Sequence, residues 1–212
     1  YYLYKSYWKP DETTVHIVPH WNWEDSEHDT VPVFVYTNGD CGELFLNGES
    51  QGMKCKNPKA DDPTERFRLM WKDVKYEPGE LRTVAYKEGE KIGENKIVTT
   101  GEATHLRLTP DRSTISSGGM DLSYILVEAF DDEGNAHPLN SDRVNISVEG
   151  LATIAGVGNG NPQSFEPFQA DYVDLFYGKA MIIIRSGHET GEVEVSVSSE
   201  ELEGDSVEIA VE

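Results

Sequence analysis

The chain has 212 residues, 39 of them acidic and 18 basic, for a formal net charge of −21. A surface that acidic repels phosphate backbones and anionic lipid heads, and no apolar run approaches the roughly 20 residues needed to span a bilayer, so neither a nucleic acid nor a membrane is expected as partner. With 37% hydrophobic and 10% aromatic residues and Gly and Pro spread throughout, the composition reads as folded strands joined by turns.

Tyr1, Tyr4 and Trp8 stand at helical spacing before Pro10, which predicts a short helix whose aromatic stripe needs something to pack on. Residues 15–23, VHIVPHWNW, read as a strand interrupted by Pro19, and 24–29 as a polar loop. Strands follow at 31–38, on both sides of Asn47-Gly48, and at 66–74, 79–89 and 94–101. Asn47-Gly48 suits the two positive φ angles of a type I′ hairpin turn. Pairing across that turn sets Cys41 opposite position 54, within one residue of Cys55. A one-residue bulge would bring the two together as a disulfide; two free thiols are the alternative.

Thr99-Thr100-Gly101 reads as a linker, because the charge steps there. Residues 1–101 hold 13 basic and 18 acidic side chains, and residues 102–212 hold 5 and 21. Beyond it, strands are predicted at 104–111, 121–135 with the turn DDEGN, 143–150, 151–160, 179–187, 192–200 and 206–212. Val193, Val195 and Val197 alternate with Glu192, Glu194 and Ser196, as on a sheet with one wet side; AMIIIR at 180–185 is continuously apolar and reads as central, covered on both faces. The fold class is therefore all-β: two tandem immunoglobulin-like antiparallel sandwiches, 11–101 and 102–212, after a short N-terminal helix within 1–10.

Few constellations carry chemistry. His16 and His20 have the spacing of a helical metal pair, but on a strand their rings would lie roughly 13 Å apart, too far for one ion. Asp131, Asp132, Glu133 and Asn135 offer oxygen ligands to Ca²⁺, although their spacing does not match an EF-hand and DDEGN is an ordinary hairpin turn. Neither a metal nor a cofactor is expected. Trp21 and Trp23 would share a strand face and form either a platform for a sugar ring or an interdomain contact; burial is the favoured outcome for paired aromatics. GVGNGNPQSFEPF at 156–168 is Gly-rich, but Pro162 and Pro167 deny it the helix that a phosphate cradle needs.

VYTNGDCGELFLNGESQG at 35–52 resembles the accessory sandwich behind the barrel of glycoside hydrolase family 2 enzymes, the β-galactosidase family. The loop Gly156, Gly158, Asn159, Gly160, Pro162, Ser164, Glu166, Pro167 and Phe168, with the following strand Phe176 to Ser186, resembles the last C-terminal sandwich of the same family. YYLYKSYW and VHIVPHWNW are similar to the end of the final barrel helix and the strand that leaves the barrel. The resemblance implies a noncatalytic C-terminal piece whose first ten residues are the remnant of that helix. An upstream catalytic barrel of the same polypeptide would be its partner.

The parent would be a retaining β-glycosidase, periplasmic or extracellular, with any targeting signal upstream. Retaining catalysis needs two carboxylates about 5 Å apart on a barrel. In the family the acid/base follows an Asn, and this chain has no Asn-Glu dipeptide. The contact candidates, toward carbohydrate or toward a neighbouring domain, are Trp21, Trp23, Asn159, Glu166 and Phe168. A homo-oligomer of the parent is a further expectation, and a stand-alone carbohydrate-binding or adhesive module is the alternative to the accessory reading.

Overall fold

The computed structural model describes residues 1–24, 27 and 29–212, so the polar loop expected at 24–29 lies partly outside the described residues. The chain divides into two compact units, Tyr1–Thr99 and Thr100–Glu212. Both are built from antiparallel sheets, in keeping with the all-β class.

The first unit opens with α1 (Tyr2–Trp8). One sheet follows in the order β1 (Val15–Val18), β2 (Thr30–Thr37), β5 (Leu69–Lys75). The other has the order β4 (Glu49–Cys55), β3 (Cys41–Leu46), β6 (Glu80–Lys87), β7 (Glu90–Val98). Alternation sets the inner faces: Val31, Val33 and Val35 of β2 and Leu44 and Leu46 of β3 are buried with Trp21, Leu69, Trp71 and Leu81. At the hairpin turn Asn47 and Gly48 both take positive φ, 49° and 86°, as the type I′ turn requires.

Two expectations are corrected here. The strand expected over 15–23 with an interruption at Pro19 stops at Val18 and does not resume beyond Pro19, which has no N–H to give a ladder. The strand predicted from residue 66 begins at Leu69, preceded by a short helix, α2 (Pro63–Phe67). Asp62 caps that helix by accepting from Thr64 N at 2.7 Å, and Pro63 opens it at a position where its missing N–H costs nothing.

In the second unit one sheet runs β12 (Ala152–Gly158), β14 (Lys179–Ser186), β10 (Leu122–Phe130), β8 (His105–Pro110). The other runs β13 (Tyr172–Asp174), β11 (Arg143–Gly150), β15 (Gly191–Ser198), β16 (Asp205–Val211), β9 (Thr114–Ile115), where β9 joins β16 in parallel. Val193, Val195 and Val197 are buried while Glu192 and Glu194 face water. Strand β14 is interior to its sheet, but its two faces differ: Ala180, Ile182 and Ile184 are buried, whereas Met181 and Ile183 are only half-buried. The core is aliphatic, with Leu106, Ile125, Val127, Ile146 and Ile209 among its members. Each such side chain contributes on the order of 1.5–3 kcal/mol by leaving water.

Candidate functional site

Trp21 and Trp23 do not form a platform. With the strand finished at Val18, the two-residue spacing no longer puts both rings on one face. Trp21 is 0% exposed, donates its indole N–H to the Glu77 carbonyl at 3.0 Å and lies 5.3 Å from the Tyr76 ring. Thr99 Oγ1 donates to the Trp21 carbonyl at 2.6 Å, closing the end of the unit. Trp23 is half-buried, donates to the His20 carbonyl at 2.8 Å and stacks on the His20 ring at 4.6 Å. Trp21 is therefore withdrawn from any sugar or neighbouring domain.

The two histidines take different partners: His16 stacks on Tyr2 at 3.6 Å, and its burial lowers its pKa. No group of three or more metal-ligating side chains occurs among the described residues. Asp131 turns its carboxylate to its own hairpin, accepting from Asn135 N at 2.7 Å and from Glu133 N and Gly101 N, each at 3.0 Å. Burial alone would raise its pKa, but these N–H donors more than offset that and hold it below the usual range.

The 156–168 loop is built around Glu166. Its Oε2 accepts from Asn159 Nδ2 at 3.1 Å and from Ser164 Oγ at 2.8 Å, while Oε1 accepts from Asp174 N at 2.9 Å. Asn159 Nδ2 also donates to the Asp174 carbonyl at 2.8 Å, and its Oδ1 accepts from Asn161 N at 2.9 Å. Arg143 closes the group from outside with a two-pronged contact on Asp174, 2.7 and 3.3 Å. Both oxygens of Glu166 are thus committed to the loop, which suits a positioning residue. The loop displays Phe168, 78% exposed, and Phe165, fully exposed. Sequence reasoning passed over Phe165, which sits between the two residues, Ser164 and Glu166, that fix the turn.

A second exposed aromatic group lies on α1. Ser6 is buried and Tyr7 donates to the Phe67 carbonyl at 3.1 Å, so this side of the helix rests on α2. The side carrying Tyr1, Tyr4 and Trp8 stays 84%, 60% and 76% exposed, with the Tyr4 and Trp8 rings 4.9 Å apart. Beneath the helix, Lys56 Nζ donates to the Thr37 carbonyl and stands 4.9 Å from the Tyr7 ring centre; burial pushes its pKa down to about 8. Next to it Cys41 and Cys55 form a disulfide with sulfurs 2.07 Å apart. A register shift between Glu43 and Phe45 brings the two cysteines directly opposite each other.

Residues 106–208 match the family Glycoside hydrolase family 2 C-terminal domain 5, and residues 28–93 match Domain of unknown function (DUF4982). The chain is 38% identical over 213 residues to Beta-galactosidase BoGH2A of Bacteroides ovatus, covering 100% of this chain and 24% of that protein. Among solved structures, a β-glycosidase from Bacteroides vulgatus superposes with a TM-score of 0.88 at 29% identity, over 99% of this chain and 26% of that one. A glycosyl hydrolase family 2 member from Bacteroides cellulosilyticus superposes with a TM-score of 0.87 at 32% identity, over 100% and 30%. The chain thus spans about a quarter of the length of these relatives.

Proposed function

Because this chain belongs to the C-terminal domains of glycoside hydrolase family 2, we propose that it is the noncatalytic accessory support of a larger retaining β-glycosidase, arranged as two immunoglobulin-like sandwiches. The parent would hydrolyse β-galactosides or related β-glycosides. The observation that carries this reading is α1: a helix too short to persist alone, held to its unit by one side while Tyr1, Tyr4 and Trp8 remain uncovered. Its natural cover is a catalytic barrel preceding it in the same polypeptide, and Phe165 and Phe168 offer a second contact of the same kind. The occupied carboxylate of Glu166 supports a structural part for that loop. A disulfide fits a periplasmic or extracellular parent.

Tyr4→Ser and Trp8→Ser introduced into the full-length gene product test the reading. Both should lower its melting temperature and β-glycosidase rate while leaving the melting of the isolated chain unchanged. The isolated chain should give no turnover of a chromogenic β-galactoside at high concentration. Turnover that disappears in Glu166→Gln would overturn the proposal. The alternative, a free-standing carbohydrate-binding module, is favoured only by Phe165 and Phe168; micromolar glycan binding lost in Phe168→Ser would establish it.

A further inference from the structure

The sheets of the first unit end side by side on edge strands, β4 bonded only to β3 and β5 bonded only to β2. Between them, under α2, lies a cleft of about 570 Å³, within the roughly 300–1,000 Å³ of small-ligand sites. The Trp71 indole N–H donates to the Gly52 carbonyl at 3.0 Å, tying β5 to β4 at the cleft wall. Arg68, Lys54 and Lys72 all line this space, and among the described residues none of the three takes part in an ion pair. The Arg68 guanidinium rests on the Phe34 ring, 5.1 Å from its centre, and its Nε is buried with no hydrogen-bond partner. A buried donor left unpaired is destabilising, and native structures rarely tolerate one without a reason.

We propose that this cleft binds the carboxylate of an acidic saccharide, a sugar of the uronic acid class, with Arg68 as its anchor. A guanidinium offers parallel N–H donors matched to the two oxygens of a carboxylate, and a small turn of the head off Phe34 brings them to an entering ligand. Lys54 and Lys72 add positive charge at the rim. The rest of the lining selects what carries the carboxylate: Gln51, Asp62, Glu65 and Asp73 are acceptors for hydroxyl groups, and the three carboxylates, of which Asp62 feels the charge of both Lys72 and Arg68, repel a densely charged polyanion. One carboxylate diluted among hydroxyls satisfies both halves of the lining. This inference stands on the first unit alone and does not rest on the accessory reading.

The test is titration of the whole chain, by calorimetry and by amide chemical shifts, with a glucuronic acid disaccharide, its neutral glucose counterpart and sodium acetate. Saturable binding of the acidic disaccharide is expected, at least tenfold tighter than either control and weakened by salt. Arg68→Gln should weaken it about tenfold or more, and Lys72→Gln, an exposed change that leaves folding intact, about two- to threefold. Equal affinity for the neutral disaccharide or for acetate overturns the proposal, as does binding unchanged in Lys72→Gln and in an Arg68→Gln chain that melts like the parent. So does the absence of saturation at millimolar acidic sugar.

Discussion

Trp21 and Trp71 close the core of the first unit, and each also directs its indole N–H to a backbone carbonyl, of Glu77 and of Gly52. The second unit contains no tryptophan and no cysteine; Ile125, Ile182, Ile184 and Ile209 fill it with side chains that bond to nothing and pack from every direction. The first core thus leans on a few large, oriented side chains and a covalent staple, and the second spreads the same task over many small ones. Each unit is therefore fragile in its own way: at named positions in the first, and in proportion to volume lost in the second.

Trp21→Ala puts the contrast between the two cores to its most severe test. It removes a fully buried ring and strands the Glu77 carbonyl, and should cost about 3–5 kcal/mol in denaturant unfolding followed by tryptophan emission. Ile182→Ala should cost about 2–5 kcal/mol in the second unit, toward the lower end if its aliphatic neighbours close the gap. All four tryptophans lie in the first unit, so circular dichroism should register this loss while the emission curve stays in place; a shifted emission curve would mean that the units do not unfold independently. Reducing Cys41–Cys55, which are 14 residues apart in sequence, should destabilise the first unit alone by about 3 kcal/mol. An unchanged midpoint would leave the hairpin to its turn.

Two smaller effects are read from pH. Asp131 has its carboxyl pKa depressed in the folded state, so its contribution is present above the unfolded value of about 3.9 and is lost as pH falls through the folded value. Asp131→Asn should remove that acid limb and cost about 1–3 kcal/mol at neutral pH, measured on the circular dichroism transition. Lys56 has the opposite sign of linkage. Its folded pKa of about 8 lies below the ordinary lysine value, so between about 8 and 10.5 the unfolded chain binds more protons and the first unit gains stability as pH rises. That slope should vanish in Lys56→Met; a slope that persists assigns the titration elsewhere.

Legibility followed the range of the interaction. Alternation in Val193, Val195 and Val197 and the Asn47-Gly48 pair are local, and each carries its structural outcome within a few residues. Trp21 does not share a strand face with Trp23, because that face depended on a strand that Pro19 ends. The five residues of α2 are too few for a helical period, so the usable signal was the Asp62-Pro63-Thr64 cap alone. The pairing of Cys41 with Cys55 depended on a register shift near Glu43 that no residue type announces. Glu166 could be picked out from its loop motif, but not the spending of both its oxygens inward, because Asp174 lies beyond the motif. The Arg68 cleft was invisible for the same reason: it exists only where two sheet edges meet.

Asn47 does more than turn the hairpin. Its Nδ2 donates to the Pro78 carbonyl at 3.0 Å, its Oδ1 accepts from Glu80 N at 2.8 Å, and any Cβ on Gly79 would collide with that oxygen. Asn-Gly is also the dipeptide in which the following amide nitrogen most readily attacks the side-chain carbonyl, expelling ammonia to form a succinimide that water then opens to aspartate or isoaspartate. Held at both ends, the Asn47 amide is kept from swinging toward Gly48, so the clasp that fixes the loop also delays chemical ageing at the site. Once conversion occurs, an oxygen would face the Pro78 carbonyl where a donor stood, and the damage would loosen the latch that had slowed it.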